Sequence, residues 1–136
     1  MTPAERLSGQ MPSAETIEAI ARGTVADLPS PFRDSLGDIV LLVEEVADPA
    51  TARSLGLRYP MQLSGLYQGI PLNQQSVSQS GTLPERVTLY RQPIIAEWQA
   101  TPFSLEQIVS HIVIHEIGHH FGFSDDDMHA LEQEGE

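Results

Sequence analysis

Residues 104–122 read SLEQIVSHIVIHEIGHHFG, and this stretch decides what the rest of the chain is built around. Ser104 and Gln107 stand at the spacing of a capping box, and Phe103 with Ile108 at that of a hydrophobic staple. Together they predict a helix from Leu105 to about Phe121. Gly122 is suited to end it in a left-handed conformation. With His115 set at zero around the axis, His119 falls at about 40°, His111 at about -40° and Glu116 at about 100°. Val113, Ile114, Ile117 and Phe121 take the opposite side. Ile108, Val109 and Ile112 are interleaved with the histidines, so the histidine face is expected to be partly covered. A partly buried imidazole needs a partner. Two of them at i and i+4 can share one metal ion.

Residues 115–119, HEIGH, therefore carry a chemistry as well as a shape. His115 and His119 are the expected metal ligands. Glu116 sits beside the metal, where it can accept a proton from an activated water. Zinc in such sites lowers the pKa of water to about 7 and polarises the carbonyl under attack. The chain has no cysteine, so thiolate sites and disulfides are excluded and any metal is held by His, Asp or Glu.

Zinc in a hydrolase usually takes three protein ligands and one water. Residues 115–125 read HEIGHHFGFSD, an H-E-x-x-H-x-x-G-x-x-D pattern that resembles the metzincin signature, in which a glycine turns the chain so that a residue three further on faces the metal. That resemblance makes Asp125 the third ligand in place of the usual histidine. His129 competes with it. Ser124 and Asp127 could open a short helix over 125–133, placing Asp125 and His129 on one face. Water, or a two-histidine site, is the remaining alternative. Asp126 and Asp127 read as a solvated acidic first turn, and Glu132 as surface. His111 reads as a rim residue one turn ahead of the site, and His120 as a packing or surface histidine.

The C-terminal third resembles the small bacterial zincin-like family of minimal metallopeptidases, whose members end soon after an HEIGHHFG-type motif. The likeness covers the RVTLYRQPI region and residues 104–128. It implies a zincin-like α+β fold, a Zn2+ cofactor held by His115, His119 and Asp125, Glu116 as base, and hydrolysis of peptide or protein substrates. In zincins an edge strand runs along the cleft and pairs with extended substrate, a role that the resemblance gives to Leu66–Ile70. The chain runs only eleven residues beyond Asp125. Met128 then stands too close for a metzincin methionine turn, and no lower subdomain is expected to wall the cleft. A second reading follows: a metal-binding or interaction protein on a zincin scaffold without turnover. A weaker likeness is to zinc-dependent endoribonucleases of rRNA maturation, which have glycine where Glu116 stands.

Outward from the site helix, the other elements are short. Ser13 is placed to cap a helix reaching about Leu28, ended by Pro29 and Pro31. Asp38–Val46 (DIVLLVEEV) reads as a buried strand. Pro49–Leu55 predicts a short helix ended by Gly56, Gly65–Ile70 (GLYQGI) an edge strand, and Arg86–Tyr90 (RVTLY) a further strand. Pro93–Gln99 predicts a helix, and residues 72–82, rich in Gln and Ser, a loop. The outline is α+β: a small mixed sheet packed against the 105–121 helix.

The 136 residues are the size of one domain, expected over 13–136 behind a flexible leader at 1–12. Net charge is -12, with seven arginines, no lysine, and six acidic residues after Ser124. That balance argues against nucleic acid and against an anionic membrane surface as partners. No apolar run suggests a secretory signal or a membrane span, so the expected location is cytoplasmic. The sequence carries no signal for an oligomeric state.

Overall fold

The computed structural model describes residues 11–29, 33, 39–69 and 85–121. Helix α1 (Ala14–Ala26) begins where Ser13 accepts a hydrogen bond from the Thr16 amide at 3.1 Å, in extended backbone geometry. Strand β1 (Val40–Glu44) follows, then helix α2 (Pro49–Ser54). Pro49 starts α2 without cost because the first amide of a helix needs no intrahelical partner. Gly56 ends it at φ +79°. There the Gly56 amide bonds to Arg53 and the Leu57 amide to Ala52, the paired bonds of a Schellman motif.

A short 3-10 turn (Pro60–Gln62) leads into strand β2 (Gly65–Gln68). Strand β3 (Arg86–Tyr90) passes directly into helix α3 (Arg91–Ala100), and helix α4 (Leu105–Phe121) completes the described chain. The capping box forms as its spacing predicts: the Ser104 amide donates to Gln107 Oε1 at 2.8 Å, and the Gln107 amide to Ser104 Oγ at 3.1 Å. Phe103 stays 52 % exposed.

The sheet has the order β1-β3-β2 and is mixed. β1 runs parallel to β3, with Leu41 opposite Val87, and β2 runs antiparallel to it, with Tyr67 opposite Val87. This arrangement corrects one expectation. β1 is the most apolar stretch by sequence, yet the more deeply buried strand is β3, where Val87, Thr88, Leu89 and Tyr90 are all buried. In β1 only Leu41 is buried, and Leu42 is 36 % exposed. Position in the sheet explains it: β3 has a neighbour on each side, while β1 has one among the described residues.

The core lies between the sheet and α4, closed by α1 and α3. Ile17 and Ala21 come from α1, Val87 and Leu89 from β3, and Ile94 and Trp98 from α3. Val109, Val113 and Ile117 bring the back of α4 into the same cluster. Met11 packs against it part-buried, and the Pro12 carbonyl accepts a bond from Arg91 Nε at 2.8 Å. A hydroxyl pair, Thr24 Oγ1 and Ser110 Oγ at 2.9 Å, joins α1 to α4. The architecture is α+β, a small mixed sheet against a long C-terminal helix. No described helix is long and apolar enough to cross a membrane.

Candidate metal centre

Helix α4 presents its histidines along one edge, and burial changes steeply around it. Ile108 and Ile112 are buried, His115 is half-buried, and His111 and His119 are exposed, the His119 side chain by 49 %. The interleaved isoleucines thus cover one flank of the histidine row, and the other flank is open. The His111 and His115 rings stack with centroids 6.2 Å apart. His115 and His119 meet edge to face at 5.1 Å. Helical phase alone brings the latter pair together, one turn apart.

Glu116 is the buried member of the group, 9 % exposed. A carboxylate so placed needs hydrogen-bond partners. Its Oε1 accepts the backbone amide of Tyr67 in β2 at 3.0 Å. The same oxygen lies 3.5 Å from His119 Nδ1, a contact longer than a tight hydrogen bond. Burial pushes the Glu116 carboxyl above the ordinary carboxylate range, while the Tyr67 amide and the His115 ring pull it back.

Gly65 makes the contact between β2 and α4 possible. A Cβ at this position would lie 2.5 Å from Ile112 Cγ2 and 3.4 Å from Glu116 Cγ. Ile112 and Glu116 stand at i and i+4, so Gly65 rests over both, and Tyr67 follows two positions later on the same edge of the strand. The Tyr90 amide bonds to the Ser64 carbonyl at 3.0 Å. Residues 64, 66 and 68 therefore face β3 with their amides, while 65 and 67 turn theirs away from it. The Tyr67 amide thus points to the outer edge, where Glu116 takes it. The role of Gly65 was missed in the sequence, although a glycine inside a strand is a known sign of close backbone approach.

The donor set fits zinc in its chemistry. It offers two imidazoles one turn apart with an open flank, and a buried carboxylate near the second ring nitrogen of one of them. A histidine that ligates a metal commonly turns its other nitrogen to a carboxylate in this way. Among the described residues no group of three metal-ligating side chains converges. The third-ligand candidates Asp125 and His129 lie outside the described residues, as do Gly122, Met128 and the His120 side chain. So do the expected loop at 72–82 and the Ile70 end of the edge strand.

A mixed sheet against a helix that carries the H-E-x-x-H pattern defines the zincin class. Residues 36–135 match the zincin-like metallopeptidase family, and the chain belongs to that family. No curated protein matches it.

Proposed function

We propose that this chain is a zinc-dependent hydrolase of peptide or amide bonds. His115 and His119 hold the metal, Asp125 supplies the third ligand, and Glu116 is the general base. One observation carries the reading above all: Glu116 is buried directly beside the two histidines, with its Oε1 held in place by a main-chain amide.

Zinc bound there would lower the pKa of a water to about 7 and polarise the scissile carbonyl. The chain's own residues supply the rest. Glu116 takes the proton from the water as its oxygen adds to the carbonyl carbon. It returns that proton to the departing amine nitrogen as the C–N bond breaks. The exposed flank along His111, His115 and His119 gives a substrate a way to the site. A single domain over 13–136 and a cytoplasmic location belong to the same proposal.

Metal analysis of wild type and His115→Ala tests the ligand assignment. Stoichiometric zinc in wild type and its loss in the variant are expected. Negligible zinc in both would overturn it. A broad peptide library with zinc-loaded protein then separates a hydrolase from a metal-binding scaffold: cleavage abolished by a chelator is expected, and the absence of any cleavage favours the scaffold.

A further inference from the structure

We propose that strand β2 is the positioning device for Glu116, acting through the Tyr67 amide, with Gly65 as the residue that lets the strand come close enough. The inference rests on Glu116 being the base.

A general base works only if its accepting oxygen is aimed. Glutamate has three side-chain torsions, and fixing it takes more than burial. Here both contacts fall on the same oxygen: the Tyr67 amide at 3.0 Å and His119 Nδ1 at 3.5 Å reach Oε1. Among the described residues Oε2 has no protein partner. Oε1 is therefore the anchored oxygen of Glu116. The anchor is a backbone group, set by the β2–β3 register and not by a rotamer. Leu66 opposite Thr88 fixes that register, and with it the direction of the Tyr67 amide.

Gly65 sets the distance. A Cβ 2.5 Å from Ile112 Cγ2 forces a shift, and because χ1 of an isoleucine in a helix is stiff, the strand or the helix gives way before the side chain turns. Either movement stretches the bond from Tyr67 to Glu116. The same geometry defines how β2 can meet an extended substrate. Its outward amide at position 67 already serves the base, so a peptide lying along this edge must leave that amide alone or release Glu116. At position 67 the edge holds the base and is closed to substrate as a donor.

Amide hydrogen exchange on the full chain, as purified and again after chelation, reads the tether without any turnover. The Tyr67 amide in wild type is expected to exchange at least tenfold slower than in Glu116→Ala. Glu116→Gln keeps an acceptor oxygen and should retain the protection, while the Thr88 and Tyr90 amides of β3, which face β2, report that the strand pairing is intact in every variant. Equal protection of Tyr67 in wild type and Glu116→Ala, with β3 unchanged, would overturn the proposal. Gly65→Ala should speed exchange at Tyr67 and reduce kcat while zinc content stays stoichiometric. Adding Ile112→Ala, which removes the clashing Cγ2, should restore both; failure of the double variant to slow Tyr67 exchange also overturns it. A wild-type protein without zinc but with a protected Tyr67 amide would instead count against the hydrolase reading and leave the tether standing.

Discussion

The Tyr67 amide and the Glu116 carboxylate, 49 positions apart in the chain, meet at 3.0 Å. This bond joins the edge of the sheet to the helix that carries the candidate metal site. It makes β2 part of the site although no β2 side chain needs to touch metal or substrate.

Glu116→Gln should keep the metal and lose the chemistry. Removing a general base costs roughly 10²–10⁴-fold in rate. Zinc content by elemental analysis and kcat on a cleaved peptide provide the check. Turnover equal to wild type in a zinc-loaded variant would remove Glu116 from the role.

His119→Ala should reduce zinc affinity more than His111→Ala does. His119 meets His115 at 5.1 Å between ring centroids, and the His111 ring lies farther off at 6.2 Å. Competition with a chelating dye measures both. A larger loss in His111→Ala would move the metal one turn toward the start of α4.

Gly65→Ala should destabilise the fold by about 1–3 kcal/mol, the usual cost of overpacking a filled site. Ile112→Ala alone should cost about 2–5 kcal/mol by opening a cavity. The new methyl in the double variant occupies part of that cavity, so the two losses should fall short of additive by at least about 0.5 kcal/mol. Urea denaturation of the four proteins gives the coupling. Strict additivity would mean that the two positions do not share the space assigned to them.

Ser104→Ala should cost about 1 kcal/mol, because Ser104 Oγ accepts the Gln107 amide that otherwise has no partner at the start of α4. The loss should appear as a lower urea midpoint with an unchanged slope.

The Tyr67 phenol is pushed up to about 12, first by burial and then by the charge of Glu85. Its ordinary value is 10.0, so the folded state favours the neutral phenol. That contribution to stability is complete below about pH 10 and is lost as pH rises through about 12. Ultraviolet titration of the phenolate should show one tyrosine ionising later in wild type than in Tyr67→Phe. A Tyr67 that ionises at 10 would contradict the packing described for β2.

Most of the described elements were legible from local sequence signals, and the site helix was the clearest of them. Ser104, Gln107 and the phase of His115 and His119 predicted α4 from Leu105 to Phe121, because capping and helical periodicity are local rules read within a few residues. RVTLY was legible as a strand and Gly56 as a helix stop for the same reason. Burial was not legible in that way. DIVLLVEEV is more apolar than RVTLY, yet β3 is the more deeply buried strand, because burial follows from which strand has neighbours on both sides. Nor could the sequence supply the partner of Glu116. Helical phase put it on the border of the histidine face, but a backbone amide carries no side-chain signature. Only the register of β2 on β3, together with the missing Cβ at Gly65, decided that Tyr67 would be the residue to hold it.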